Sequence, residues 1–251
     1  MGKVEEYILE KIDNKEKMLF SLIDPDDYKS LDDAVKTAVA CNEGGSDIIL
    51  IGGSIAVQGE ELDQVAKEIK NKISVPMILF PGNISTITKY ADAIYFMSLL
   101  NSRNPYWIQQ AQTLGAPVIR KYNIEPLPVG YIVVEPGGTV GWVGDVNMVP
   151  RNKPKIAASL ALGAQYAGSR LILTDAGSNP HDHIPVEMVS AIAKTISVPY
   201  VVGGGIRTVD DVKEITGAGA DAVQIGTAFE NSDPEKVKKK VEEFKKVLKF
   251  V

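Results

Sequence analysis

A single cysteine, Cys41, leaves no partner for an internal disulfide, which excludes the small secreted scaffolds that depend on such bridges. No charged segment followed by an apolar stretch opens the chain, so no secretory leader is expected and the cytoplasm is the expected setting. No run of about 18 consecutive apolar residues occurs, so no segment is expected to span a bilayer. Basic residues are not in excess: 27 Lys and Arg against 32 Asp and Glu give a formal net charge of -5. A nucleic-acid partner needs a basic stripe to displace counterions, and none is expected here. What is present is apolar bulk. With 251 residues, 45% of them hydrophobic and 24% charged, the chain can bury a full core, which excludes disordered and collagen-like classes.

That bulk is distributed as short runs: Met18 to Ile23, Asp47 to Ile51, Pro76 to Phe80, Ala93 to Met97, Gly130 to Val134, Arg170 to Thr174, Pro199 to Val202 and Asp221 to Ile225. Each is nearly continuous in apolar residues, as strands covered on both faces are, so a parallel sheet is expected. Helical spacing fills Leu31 to Ala40, Leu62 to Ile69, Trp107 to Leu114, Ile156 to Ala167, Val186 to Ile196 and Val209 to Ala218. Strand then helix, about eight times over, predicts an α/β fold, a single-domain (β/α)8 TIM barrel occupying residues 1–251. An open doubly wound sheet is the alternative, because the stretch from Val118 to Pro128 reads as an additional apolar piece followed by a Pro-rich loop. Cys41 lies in an Ala- and Val-rich helical pattern and reads as a core filler.

Most of these runs end in polar or Gly-rich residues, which a parallel barrel gathers at one rim. Val202-Gly-Gly-Gly-Ile-Arg207 and Ile225-Gly-Thr227 have the layout of a phosphate site on the last two strands. Glycines let backbone N–H groups approach an anion, and a short helix after Thr227 would point its positive end at the same place. The plainer alternative is that these glycines only permit tight turns. Arg207 stands just ahead of Asp210 and Asp211 and reads equally as a local ion pair, so it is left outside the expected site. At the opposite side, Asp24 follows the first strand and Ser54 the second. Their hard oxygens suit Mg²⁺, and magnesium in turn implies a diphosphate substrate. For Asp24 the competing reading is an N-cap or turn residue beside Pro25.

Leu22-Ile-Asp-Pro-Asp26, Gly52-Gly-Ser54, Phe80-Pro-Gly-Asn83, Asn101-Ser-Arg-Asn-Pro-Tyr106, Gly130-Tyr-Ile-Val-Val-Glu-Pro-Gly-Gly138 and Gly203-Gly-Gly-Ile-Arg207 together resemble the geranylgeranylglyceryl phosphate synthases. These are prenyltransferases of archaeal ether-lipid synthesis, with bacterial relatives that make heptaprenylglyceryl phosphate. The resemblance covers about Met18 to Glu230. It implies that sn-glycerol 1-phosphate is joined through its 3-hydroxyl to C1 of geranylgeranyl diphosphate. It implies Mg²⁺ at Asp24 and Ser54, and glycerol phosphate at Leu173, Thr174, Asp175, Ala176, Gly177, Ser178, Asn179, Gly204, Gly205, Gly226 and Thr227. A homo-oligomer is expected. The chain departs from the family after the sixth strand, where Tyr-Leu-Glu-Ala-Gly-Ser-Gly is usual and Leu173-Thr-Asp-Ala-Gly-Ser-Asn179 stands here. An aromatic hydroxyl is lost and the carboxylate is one methylene shorter, although Asp175 can still accept a proton as general base.

Chemistry of this kind needs charge neutralisation on the leaving diphosphate and a hydroxyl held in line, not a strong nucleophile. A C20 tail needs an apolar trough, for which Ile55, Ala56, Ile84, Tyr95, Phe96, Leu99, Tyr106 and Trp107 are candidates, each also readable as core. His181 and His183 have a metal-ligand spacing but no recognisable third soft ligand. Glu135 reads either as an acid/base group at the mouth or as a loop anchor. In the tail, Val237, Val241, Phe244, Leu248 and Val251 make one helical stripe, suited to an outer barrel helix or, less simply, to weak membrane-surface contact. Two other functions compete. A phosphosugar isomerase or lyase of the histidine- or tryptophan-synthesis type would pair Asp24 with Glu135, and a non-catalytic phosphometabolite-binding protein would keep the anion cradle alone.

Overall fold

Strands that are apolar on both faces must be covered on both, and a closed barrel inside a ring of helices achieves this without leaving an edge. The computed structural model describes residues 2–53 and 57–249. Its strands are β1 Met18–Ile23, β2 Ile48–Ile51, β3 Met77–Leu79, β4 Ala93–Leu99, β5 Glu125–Val133, β6 Leu171–Asp175, β7 Tyr200–Gly203 and β8 Ala222–Ile225. They pair in sequence order, all parallel, and β8 closes on β1 with Met18 opposite Ala222. The helices are α1 Lys3–Asp13, α2 Leu31–Gly44, α3 Gly59–Lys70, α4 Ala111–Tyr122, α5 Gly138–Val143, α6 Pro154–Tyr166, α7 Val186–Ala193, α8 Val209–Gly217 and α9 Pro234–Leu248. The open-sheet alternative is thereby excluded.

Alternation along each strand divides the core into two layers. Met18, Phe20, Ile48, Leu50, Tyr95, Val129, Tyr131 and Leu173 fill the barrel interior, while Leu19, Ile49, Ile94 and Ile132 face the helices. The lower end of the interior is plugged by α1, whose Val4 and Ile8 join the inner cluster. Glu125 fixes this plug by accepting hydrogen bonds from the backbone N–H groups of Val4 (2.8 Å) and Glu5 (2.9 Å), which caps the helix start with a negative charge. On the outside, α9 buries Val237, Val241, Phe244 and Leu248, so the tail stripe packs as an outer helix. Gly44 of α2 permits this approach, since a Cβ there would lie 2.7 Å from Val241 Cβ. Cys41 is fully buried in the outer layer, and burial pushes its thiol up to about 12, as befits a core filler.

The structure corrects three expectations. The stretch from Val118 to Pro128 is neither an extra strand nor a loop: α4 runs through Pro117 to Tyr122, and β5 already begins at Glu125. Pro126 and Pro128 are tolerated in β5 because β6 starts only opposite Val129, so no ladder bond is lost on that side. No helix follows β3 among the described residues. Residues 80–92, with Pro81, Gly82 and Asn83 at their start, cross to β4 as turns. Nor does a helix follow Thr227. Residues 227–231 form hydrogen-bonded turns, and Asn231 at φ 49° ends them before α9. No helix of the described residues is long and apolar enough to cross a membrane.

Candidate active site

The strand ends at the upper rim open into one cavity, with about 1420 Å³ of empty space including its mouth. Asp24, Asp175, Gly177, Ser178, Asn179, Gly204, Gly205, Gly226 and Thr227 all line it. Ser54, Ile55 and Ala56 lie outside the described residues. Leu173, Thr174 and Ala176 do not reach the cavity wall: strand alternation turns Thr174 and Ala176 outward, while Leu173, on the same face as Asp175, lies deeper in the barrel. Leu173 packs in the barrel interior, Thr174 bonds Tyr200 at 2.8 Å on the outer face, and Ala176 joins the outer core.

Asp24 occupies the N-cap position of the short 3-10 turn Pro25–Asp27, yet its side chain makes no cap bond. The residue is half-buried, and its Oδ1 is fully buried with no hydrogen-bond partner among the described residues. Burial, reinforced by the charges of Asp27, Glu230, Asp175 and Asp26, pushes its carboxyl up to about 8. An orphaned carboxylate oxygen among like charges is the environment a hard cation relieves. The described residues contain no group of three His, Cys, Asp or Glu arranged around one point. Such a sparse donor set fits Mg²⁺, which takes few carboxylates and completes its shell with water and phosphate oxygens.

Asp175, at the top of β6, is held differently. Its Oδ1 accepts from the Gly177 N–H at 2.8 Å and its Oδ2 from the Tyr131 hydroxyl at 3.0 Å. Burial raises the carboxyl above its usual range, while these bonds act in the opposite direction. Tyr131 stands on β5 opposite Leu173. Asp175 is thus held by a hydroxyl from the neighbouring strand, a relation that no reading of the β6 motif alone reveals. The one available signal was the placement of Tyr131 on the same strand face as Val129 and Val133.

The glycines that follow β7 are sterically required. Gly204 sits at φ 81°, where a Cβ would fall 2.7 Å from both the Ala176 nitrogen and Asp175 Oδ1. Gly205, at φ 77°, would place one 2.7 Å from the Asp182 carbonyl. The loops after β6 and β7 therefore lie backbone against backbone, exposing main chain to the cavity. Arg207 also lines this end, and its side chain forms no ion pair with Asp210 or Asp211 among the described residues. Instead its backbone N–H donates to Asp211 Oδ2 at 2.7 Å, and Asp211 with Thr208 forms a capping box for α8.

The apolar part of the cavity runs from the rim toward the place where β3 lacks its helix. Ile84, Tyr95, Phe96, Leu99 and Trp107 line it, as do Ile87, Ala111, Gly115 and Ile119, which the sequence did not single out. Tyr106 does not reach it, but packs edge-on against Trp107 with centroids 4.8 Å apart. Glu135 is exposed and outside the cavity; its carboxylate accepts from the Arg151 N–H at 3.3 Å and anchors a loop. His181 is exposed, and His183 Nδ1 lies 2.8 Å from the Ile184 carbonyl, so the pair holds no common centre.

Known proteins share both this frame and the sequence. A crystal structure of the (S)-3-O-geranylgeranylglyceryl phosphate synthase of Thermoplasma acidophilum, in complex with its substrate sn-glycerol 1-phosphate, superposes with a TM-score of 0.94 at 36% identity, covering 100% of both chains. The geranylgeranylglyceryl phosphate synthase of Pyrococcus abyssi is 51% identical over 250 residues, 99% of each chain. That of Methanothermobacter thermautotrophicus is 50% identical over 231 residues, 92% of this chain and 93% of its own. The family model described as PcrB matches residues 11–248. Built on the same barrel and about half identical to the Pyrococcus abyssi and Methanothermobacter thermautotrophicus synthases over nearly all of its length, the chain belongs to the PcrB family.

Proposed function

We propose that the protein is a prenyltransferase that forms 3-O-geranylgeranyl-sn-glyceryl 1-phosphate from sn-glycerol 1-phosphate and geranylgeranyl diphosphate, the first ether bond of an archaeal membrane lipid. The observation that carries this reading is the union, in one cavity, of a glycine-lined anion cradle, an apolar trough and an orphaned carboxylate. Asp24, with Ser54, would hold Mg²⁺, which when bound neutralises charge on the departing diphosphate. The cradle of Gly177, Ser178, Gly204, Gly205, Gly226 and Thr227 binds the phosphate that is retained. The trough holds the prenyl tail and excludes water from C1.

In the reaction the bond from C1 to the diphosphate oxygen breaks with its electron pair on diphosphate, and a bond forms from C1 to the glycerol O3. The hydroxyl proton passes to Asp175, whose raised pKa makes it a stronger base than an exposed carboxylate. Tyr131 holds that carboxylate in place, and burial keeps its own hydroxyl protonated. The isomerase reading loses its acid/base pair, since Glu135 is outside the cavity.

A cytoplasmic homo-oligomer belongs to the same proposal. Trp142 of α5, 87% exposed, is apolar surface that a second copy would cover. The deciding experiment incubates labelled sn-glycerol 1-phosphate with geranylgeranyl diphosphate and Mg²⁺ and extracts the product into butanol. A labelled lipid, lost on adding EDTA, is expected. Absence of any lipid product across prenyl chain lengths would leave a non-catalytic binding protein.

A further inference from the structure

The loop that follows β6 has no regular structure between Ala176 and Pro185, although it forms one wall of the anion cradle. Its carbonyls must find donors elsewhere. Arg207 supplies them: Nη1 donates to the carbonyls of His181 (3.2 Å) and Gly205 (3.3 Å), and Nη2 to Asn179 Oδ1 (2.8 Å) and the Pro180 carbonyl. These four bonds engage the four hydrogens of the two terminal nitrogens, so the fork is spent on protein oxygens. Three acceptors belong to the β6 loop and one to the β7 turn. The two walls of the cradle are thus tied by one side chain, at the place where Gly205 brings them into contact. From the other side, Arg151 Nη2 donates to the His183 carbonyl at 2.7 Å.

All four acceptors of Arg207 are neutral. Among the described residues no carboxylate lies within ion-pair distance of it, because Asp211 is engaged by the backbone N–H groups of Arg207 (2.7 Å) and Thr208 (2.8 Å) and Asp210 faces Lys213 at 3.4 Å. The guanidinium charge, half-buried at the cavity wall, is therefore left uncompensated. Lys240 adds a second cation nearby, its Nζ donating to the Ala228 carbonyl at 3.3 Å.

We propose that Arg207 is the positioning residue of the phosphate cradle, clasping the β6 loop to the β7 turn and supplying an unpaired positive charge that favours a phosphate dianion without spending a terminal N–H on it. The proposal rests on the reading that glycerol phosphate occupies this end. Three measurements separate the clasp from that reading. Calorimetric titration with sn-glycerol 1-phosphate should show Arg207→Gln weakened by about 10–100-fold, with Arg207→Lys intermediate because it restores charge but not the fork. KM for geranylgeranyl diphosphate should change by less than about twofold, since that substrate is held elsewhere. Hydrogen exchange without ligand should be faster at residues 177–183 in both variants and unchanged on the β1 side. Unaltered exchange there, unaltered glycerol phosphate affinity, or an equal rise in both KM values overturns the clasp. Faster exchange in the variants combined with a wild-type protein that binds no glycerol phosphate sustains the clasp and overturns the substrate reading alone.

Discussion

At one end of the mouth the oxygens of Asp175 accept hydrogen bonds from Tyr131 and Gly177, whereas at the other the Oδ1 of Asp24 accepts none among the described residues. Both carboxyls are raised above their usual range, and burial is the largest cause in each case. The difference lies in what surrounds them. Asp175 is set in a finished frame of backbone and hydroxyl donors, while Asp24 faces Asp27, Glu230 and Asp26. One end is complete before any ligand arrives; the other is electrostatically unfinished, with like charges around an oxygen that has no partner among the described residues.

The largest expected effect comes from the unfinished end. Asp24→Asn should lower kcat/KM by about 1000-fold, the scale of several kcal/mol of lost charge neutralisation. The same change should make the metal-free protein more stable at alkaline pH. Because the native carboxyl titrates near 8, the folded state holds a proton that the unfolded state lacks between the ordinary carboxylate range and that pH. Wild-type stability therefore falls as pH rises through this window, and the variant escapes the loss. Thermal melts at pH 9 without metal should place it roughly 2–6 °C above wild type. Added Mg²⁺ should raise the wild-type melting temperature and leave the variant unchanged. A wild-type protein indifferent to Mg²⁺ would erase the contrast between the two ends.

At the finished end, Asp175→Asn should cost about 100-fold or more in kcat while the affinity for glycerol phosphate changes little, as removal of a general base predicts. Gly204→Ala tests the frame itself. With φ at 81° and Ala176 and Asp175 2.7 Å from the new Cβ, it should destabilise the fold by about 1–3 kcal/mol and raise KM for glycerol phosphate, as measured by denaturant titration and steady-state kinetics. The smallest effect is expected for Tyr131→Phe. The lost hydrogen bond favours the ionised form of Asp175, so its pKa should rise and the ascending limb of the kcat/KM pH profile should move to higher pH. A profile that stays in place would show that the frame does not tune its carboxylate.

The eight apolar runs made the barrel legible, because period and burial are local properties of a strand. Relations across strands were not. Nothing in the order of residues announces that Pro126 and Pro128 are safe in β5, since that depends on where β6 begins. The plug α1 is likewise defined by Glu125, over a hundred residues away. At the site, Asp24 and the glycine turns were legible as polar endings of apolar runs. Tyr131 and Arg207 were not, because one acts across a strand register and the other reaches past its own helix start to a different loop. Local charge pattern gave Arg207 an acidic neighbour, whereas tertiary geometry gave it four neutral oxygens.

The missing helix after β3 has a consequence for traffic. Where other strands are roofed by a full helix, residues 80–92 leave a breach in the outer ring. Ile84 stands 43% exposed there, and α4 turns Leu114 and Val118 outward. Ile84 also lines the cavity, so a long hydrocarbon taken up there, as the proposed function requires, would enter broadside, like a cable into an open conduit.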